Sequence, residues 1–396
     1  MTAIAILFWI AAGLLLFTHI GYPVVLWVLQ FLGRGNRAGE VRGRRLGSIP
    51  SPFEDGEPVP AAGTGLPAVS LIIAAYNEEV VIEGKVKDVL ELEYPRDLLQ
   101  IIVASDGSTD RTVEIAREAG ADLVLDLPRG GKIKAQNAAA EAATGTILAF
   151  SDANSNWEPK ALTELIEPFR DARVGYVCGQ VTFTGPEGGN LEGIYWRYEM
   201  RVRELESGLG GVTAGNGAIY AVRARDYIPL KPSGSHDLSF PFALAKKGLL
   251  SLYRPRARAT EKMVPDMEGE LARKRRMMIG LWDIVVGEGM IDPRGYSPVY
   301  LFELVSHRLL RYLSPLLHLI ALLTSAILVG QGLFWEIVLA VQLGLLLAAF
   351  AGRWFQALPF RVSRYYVMVT LAIALGLWDR WRQGSPGYWE KAEGTR

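Results

Sequence analysis

Apolar residues are distributed in two ways along this chain. Near both ends they run continuously; between residues 67 and 297 they come in short bursts separated by polar turns. Residues 3–32 contain no Asp, Glu, Lys or Arg. A helix needs ~20 apolar residues to cross a bilayer core, so this run can span one with some tilt. A cleaved signal peptide would carry an early positive charge and a shorter apolar core, and neither is present. Residues 312–330, 333–351 and 365–378 are apolar again. Just before them, residues 298–311 mix Phe302, Leu304 and Leu309 with Glu303, His307, Arg308 and Arg311. That pattern predicts an interfacial amphipathic helix feeding the next span.

In the middle region, VSLIIAA at 69–75 is a continuous apolar run, as expected of a strand covered on both faces. A helical pattern from Glu79 to Leu92 follows. Then come LQIIVAS at 99–105, a helix from Thr109, DLVLDL at 122–127, a helix over 131–143 and TILAFSD at 146–152. This alternation predicts an α/β domain with a mainly parallel sheet and right-handed crossovers.

Charge sets the topology. Arg34, Arg37, Arg42, Arg44 and Arg45 follow the first span. Positive charge beside a span marks the cytoplasmic side, which puts the N-terminus outside and the middle domain inside. Residues 46–66 are rich in Pro, Gly and Ser and read as a linker. The chain thus divides into an N-terminal transmembrane helix (1–33), a basic juxtamembrane linker (34–66), a cytoplasmic domain (67–297), and an interfacial helix with C-terminal transmembrane helices (298–396). Gly330-Gln331-Gly332 reads as an external turn, and Arg353, Arg361 and Arg364 place the next loop inside. Four spans would then leave the C-terminus outside, whereas Arg380, Arg382, Lys391 and Arg396 favour the inside. The last apolar stretch is short, and a re-entrant course stays open. Lys and Arg total 42, as do Asp and Glu, so whole-chain charge does not argue for nucleic acid. Cys178 is the only cysteine, which excludes an internal disulfide and suits a reducing compartment.

Parallel sheets bind ligands beyond the carboxyl ends of their strands. Polar residues gather there: Tyr76-Asn77-Glu78, Asp106-Gly107-Ser108 and Asp152-Ala153-Asn154. Helix capping would account for Asn77 and Ser108 singly; three polar strand ends on one edge point to a crevice. Neither a G-x-x-x-x-G-K-S/T loop nor a G-x-G-x-x-G fingerprint follows the first strand. Lys132 sits at a helix start after Gly130-Gly131, a place suited to phosphate, with an ordinary surface lysine as the alternative. Asp152 is the natural ligand for a hard cation, Mg²⁺ or Mn²⁺. His19, His307 and His318 have no partners at metal-ligand spacing. Tyr195, Trp196 and Tyr198 cluster on a helical segment and read as core.

VSLIIAAYNEE at 69–79, IIVASDGSTDRT at 101–112, GKIKAQNAA at 131–139, FSDANSN at 150–156, GAIYAVR at 217–223 and HDLSFP at 236–241 together resemble a family 2 glycosyltransferase. The similar branch is the membrane-bound one related to cellulose, hyaluronan and poly-N-acetylglucosamine synthases. The resemblance implies a GT-A nucleotide-sugar-binding domain with a mainly parallel central sheet, flanked by transmembrane helices. It implies that Ala75, Tyr76, Glu78 and Asp106 line a uridine pocket. Asp152 and Asn154 fall on the family's D-x-D metal pair, with an amide for the second carboxylate. Asp237 falls on the general base, and His236 stands where an acidic residue is usual. Neighbours in an extended segment point to opposite sides, so Asp237 and His236 are not expected to face the acceptor together. The Q-x-x-R-W motif of processive synthases is matched only by Arg276, with Arg273 for Gln and Met277 for Trp. Arg273 and Arg276 share a helix face and could reach a diphosphate, or a lipid surface.

The function implied is inverting transfer from a nucleotide-diphosphate sugar, a UDP-sugar, to a saccharide or lipid-linked acceptor at the cell (inner) membrane, in polysaccharide or glycolipid synthesis. The alternative is a catalytically weak homologue serving as partner subunit of a polysaccharide synthesis or export complex.

Overall fold

A computed structural model describes residues 1–37, 65–184, 191–262, 267–355 and 357–384. Most of the linker, Arg42, Arg44, Arg45, Lys391 and Arg396 lie outside the described residues, as do the side chains of Arg34, Arg37, Tyr195 and Arg273. The N-terminal apolar run folds as α1 (Thr2–Leu16) and α2 (Tyr22–Arg37), joined through one wide helical turn at Phe17–Gly21.

The middle region begins β1 (Val69–Ala75), α3 (Ile82–Leu90), β2 (Leu99–Asp106), α4 (Thr112–Glu118), β3 (Leu123–Leu127), α5 (Lys132–Ala142) and β4 (Ile147–Asp152). It continues as β5 (Asn156–Trp157), α6 (Ala161–Ile166), β6 (Val174–Thr184), α7 (Leu191–Ser207), β7 (Ile219–Arg223), α8 (His236–Lys246) and β8 (Leu250–Lys262). One sheet runs β3-β2-β1-β4-β7-β6-β8-β5. The half built from β3, β2, β1 and β4 is parallel throughout, as the alternation predicts. The other half is mixed: β7 runs antiparallel to β4 and β6, and β8 runs parallel to β6. The unbroken apolar runs have a simple cause. Leu71 and Ile73 enter one buried core while Ile72 enters the other; Ile101 and Val103 are likewise opposed to Ile102. Both faces are covered, so both need apolar side chains.

The chain then forms α9 (Met267–Trp282), α10 (Pro298–Glu303), α11 (Leu310–Tyr312), α12 (Ser314–Leu328), α13 (Leu333–Ala351) and α14 (Leu358–Gln383). Thr2–Leu32, Leu333–Ala351 and Leu358–Gln383 are long and apolar enough to cross a membrane. Two expectations change. The apolar stretch 312–330 yields a helix of only 15 residues, and reaches a span's length only with Pro298–Tyr312, from which it bends by 62°. The stretch 365–378, short in the sequence, belongs to a helix of 26 residues. Polar residues extend it because they have partners: Arg275 pairs with Asp379, and Arg380 Nη2 with Asp283 at 2.7 Å.

The sheet domain meets the apolar helices through a buried ionic cluster. Glu206 accepts from Tyr22 Oη at 2.7 Å and lies 2.6 Å from His307 Nδ1. Arg308 Nε donates to Thr213 Oγ1 at 2.9 Å, and Arg311 pairs with Glu199. His307, to which the sequence assigns no chemistry, is therefore part of a structural junction. Among the apolar helices, Phe8 and Ala11 of α1 pack on Leu317 and Ala321 of α12, with Trp335 of α13 alongside.

Candidate active site

Strand register brings the three polar strand ends together. Ala75 is opposite Ser105, and Ala74 is opposite Asp152, so the segments after β1, β2 and β4 emerge side by side. Asn77 takes a left-handed backbone (φ 52°), which Asn tolerates better than most residues. Its side-chain oxygen accepts from Thr109 N–H at 2.8 Å, and its own N–H donates to Ser108 Oγ at 3.0 Å. Glu78 N–H donates to Thr112 Oγ1 at 2.8 Å, which leaves Glu78 buried. These bonds clamp the β1 loop to the β2 loop and fix Tyr76 at the rim.

Asp106 organises the loop before α5. It is 3% exposed, accepts from Gly130 N–H at 2.7 Å and Gly131 N–H at 2.8 Å, and pairs with Arg129. Gly107 is obligatory here: its φ is +69°, and a Cβ would lie 2.7 Å from Arg129 N. Arg129 lays its guanidinium 3.4 Å from the Tyr76 ring centre. It is a site residue the sequence reading missed, because nothing local distinguishes an arginine before Gly-Gly.

Asp106 thus delivers Lys132, the first residue of α5, to the sheet edge. Lys132 pairs with Asp152 at the end of β4. Burial pulls the Lys132 ammonium down, but Asp152 and, more weakly, Asp237 outweigh it and leave its pKa raised. Asp237 lies in the first turn of α8 and is half-buried; Ser235 Oγ donates to its carboxyl and its carbonyl accepts from Gly215 N–H at 2.6 Å. Burial pushes the Asp237 carboxyl up, against the nearby Lys132 charge. Gly217 borders the same space: a Cβ there would lie 3.7 Å from Lys132 Nζ and 3.9 Å from Asp152 Oδ2.

His236 opens α8 rather than lying in an extended segment, so the expected alternation of sides does not apply. It is nonetheless turned away. Its Nδ1 is 2.5 Å from Tyr220 Oη, and Phe150, Tyr227 and Phe240 enclose the ring. Burial holds its pKa well below the usual histidine value. The absent acidic residue is explained by this aromatic cage, which would not accept a carboxylate without partners. Arg276 is exposed on α9.

A second missed residue braces the loop after β4. Lys85 is 1% exposed on α3; its Nζ donates to Ser155 O at 2.6 Å and Asp88 at 3.2 Å. Burial brings its pKa down to about 8. In sequence it looks like any lysine on an amphipathic helix.

Asp152 and Asn154 are both half-buried at the strand end, and among the described residues no three His, Cys, Asp or Glu side chains form a cage. This donor set suits a hard divalent cation that takes one or two protein oxygens and fills its shell from substrate phosphates.

A model of glycosyl transferase family 2 matches residues 70–247. Glycosyltransferase AglE of Haloferax volcanii is 33% identical over 145 residues, 35% of this chain and 48% of that protein. The beta-monoglucosyldiacylglycerol synthase of Nostoc sp. is 34% identical over 119 residues, 28% of this chain and 25% of that protein. The matches span about half of these relatives' length or less. Mannosyltransferase PcManGT of Pyrobaculum calidifontis, solved with GDP-Man and Mn²⁺, superposes with a TM-score of 0.67 at 23% identity, covering 94% of this chain and 99% of that one. That likeness shows the fold, apolar helices included. Motif order and the family match together identify residues 70–247 as a glycosyltransferase family 2 domain, and the superposition shows its GT-A fold.

Proposed function

We propose that the protein transfers a sugar from a nucleoside-diphosphate sugar to an acceptor hydroxyl presented at a membrane, inverting the anomeric centre. The observation that carries this reading is the meeting of Lys132 and Asp152 at the space beside Gly217, with Asp237 within electrostatic reach of Lys132. Lys132, at the start of α5, would bind the donor's diphosphate. Asp152 and Asn154 would hold Mg²⁺ or Mn²⁺, whose charge would stabilise the leaving diphosphate. Tyr76 and Asp106 border the base, with Ala75 and Glu78 beneath; Arg129 covers the Tyr76 ring and is part of the same subsite. Asp237 takes the proton of the acceptor hydroxyl as its oxygen bonds to the anomeric carbon and the anomeric C–O bond to the diphosphate breaks. By analogy to the family, displacement is single and inverting. Arg273 and Arg276 are left as a diphosphate or lipid contact.

Uridine is the base the motifs imply, while the Pyrobaculum enzyme was solved with GDP-Man, so both classes belong in the test. The full chain in native membranes, given UDP- and GDP-sugars with Mg²⁺ or Mn²⁺, is expected to release nucleoside diphosphate. Neither release nor binding of any nucleotide sugar would sink the reading.

The partner-subunit alternative rested on His236 and Asn154. The caged histidine and the ligating power of an amide oxygen weaken both supports.

We further propose that α1, the bent pair of Pro298–Tyr312 with α12, and α13 cross the cell membrane and that α14 lies on its inner face. Residues 2–21 as helix measure roughly 30 Å, about the hydrocarbon thickness. The length and composition of α14 would allow a span, yet Tyr365, Met368, Gly376 and Asp379 form one face packed on α9. α9 is charged and continues directly from the sheet domain, so its partner belongs at the interface. This arrangement puts Arg353, Arg361, Arg364, Arg380 and Arg382 all inside, and removes the conflict over the C-terminus. With Cys178 replaced by Ser, a single cysteine at Arg382 should resist an impermeant thiol reagent in intact cells. Ready labelling would place α14 across the bilayer.

A further inference from the structure

A cavity of about 480 Å³ lies apart from the strand-edge crevice, between β6, β8 and the middle turns of α7. Gln180, Phe183, Trp196, Met200 and Tyr253 form its walls, and Arg197, Arg201 and Glu204 stand at its side. Trp196, read from sequence as core, is thus a wall with its indole N–H committed to Val181 O at 2.7 Å.

Directly behind three of these walls is Arg203. Its guanidinium carbon lies 5.8 Å from the Trp196 ring centre and 5.9 Å from that of Tyr253, and its Nη1 is 3.8 Å from Met200 Sδ. Arg203 is 4% exposed. Among the described residues it makes no ion pair, and its Nε has no hydrogen-bond partner. A guanidinium buried without an anion is strongly unfavourable. The neighbouring arginines show the contrast: Arg201 is paired with Glu204, and Arg311 with Glu199.

Two placements connect the cavity to the reaction. Tyr198, two residues beyond Trp196 on α7, donates to His19 O at 2.8 Å, which puts this end of α7 level with the end of the proposed first span. On the inner side, the Arg203 guanidinium is near enough to Asp237 for its charge to act on that carboxyl.

We propose that this cavity receives the head group of a membrane-anchored acceptor, and that Arg203 binds a phosphate monoester on it. The aromatic walls take the apolar part of the head group, the guanidinium takes the anion through charge-assisted hydrogen bonds, and a hydroxyl of the same head group reaches Asp237. The phosphate is an anchor and does not react. This inference rests on the glycosyltransferase reading for the identity of the ligand as acceptor, but not for the existence of an anion site.

Detergent-solubilised full chain is titrated with a fluorescent short-chain phosphatidic acid, with phosphatidylcholine of the same chains, and with glycerol 3-phosphate. Phosphatidic acid should bind and phosphatidylcholine should not. Binding of glycerol 3-phosphate with equal affinity would identify a soluble phosphate site and overturn the membrane-anchored assignment. Arg203→Gln should weaken phosphatidic acid binding about tenfold to a hundredfold, the loss expected for a charged hydrogen bond. Arg201→Gln, which changes charge at the cavity side only, should bind as wild type. Thr182→Trp, an exposed position at the cavity, should block binding while leaving Arg203 intact, and serves if Arg203→Gln does not fold. Wild-type affinity in Thr182→Trp, or equal losses in Arg201→Gln and Arg203→Gln, would overturn the proposal. Nucleotide release from UDP- and GDP-sugars by the wild-type sample tests the glycosyltransferase reading separately: lipid binding without release keeps the site and removes the enzyme.

Discussion

Lys132 and Asp152 meet with 32% and 29% of their side chains in solvent, whereas Arg311 and Glu199 meet with 9% and 7%. The crevice and the junction use the same residue types. In the crevice, Asp152 Oδ2 and Lys132 Nζ border open space beside Gly217. In the junction, Glu206 is shared among Tyr22, Thr213 and His307, all of them fully buried. An ion pair with spare valence and solvent access is a place for a ligand. One that is buried between two bodies fixes how they dock, and its value is specificity more than net stability. Substitutions in the two regions should therefore separate cleanly, with activity lost in one and folding lost in the other.

The largest separation is expected at Asp237. A positioned base contributes ~10²–10⁴-fold to turnover. Asp237→Asn keeps the shape but cannot take the proton, so sugar transfer should fall by about that factor, with the melting temperature unchanged. Burial raises the Asp237 pKa, so the acid limb of the wild-type rate profile should lie above the ordinary carboxylate range. Activity is lost as pH falls through that raised value, because the base becomes protonated. Loss of stability in place of turnover would move Asp237 into the structural class.

Arg311→Ala should do the opposite. It strands Glu199 without its main partner, and breaking a buried pair costs about 3–5 kcal/mol. Burial alone would raise the Glu199 pKa, but Arg311 and His307 hold it well below the carboxylate range. For a depressed carboxylate, stability is present above the unfolded-state pKa and lost as pH falls toward the folded one. Thermal unfolding of the detergent-solubilised protein should show this acid sensitivity in wild type and a blunted one in Arg311→Ala. A variant that melts like wild type would show the junction to be dispensable.

What the sequence made legible divides along the same line. The parallel half of the sheet could be read because strands covered on both faces carry unbroken apolar runs, and the crevice because β1, β2 and β4 end in polar residues. Arg129 and Lys85 could not be read: one gains its role from Tyr76 and Asp106 across the loop, the other from Ser155 O across a helix–strand contact. The junction was illegible for the same reason, since Glu199, Glu206 and His307 come from elements about a hundred residues apart. Their local spacing matches ordinary amphipathic helices. The 62° bend after Tyr312 was hidden too, because hydropathy reports length and not direction.

The smallest effect should come from the position where this chain departs from the D-x-D pattern. Asp152 carries the only carboxylate of the proposed metal pair, so Asp152→Asn should abolish the divalent-dependent part of donor affinity. Asn154→Asp instead adds a carboxylate two residues on. Asn154 is half-buried, and a charge at such a surface is worth about 0.2–1 kcal/mol, or about fivefold at most. The sign follows from charge count: another anionic oxygen strengthens cation binding, while repulsion from Asp152 is offset by the Lys132 ammonium already paired with it. Calorimetric titration of Mn²⁺ in the presence of nucleoside diphosphate should therefore show slightly tighter binding in Asn154→Asp, with turnover close to wild type. If Asn154→Asp weakened the metal or stopped transfer, the amide would be serving as a hydrogen-bond donor rather than as a metal ligand. The metal would then rest on Asp152 and the diphosphate alone.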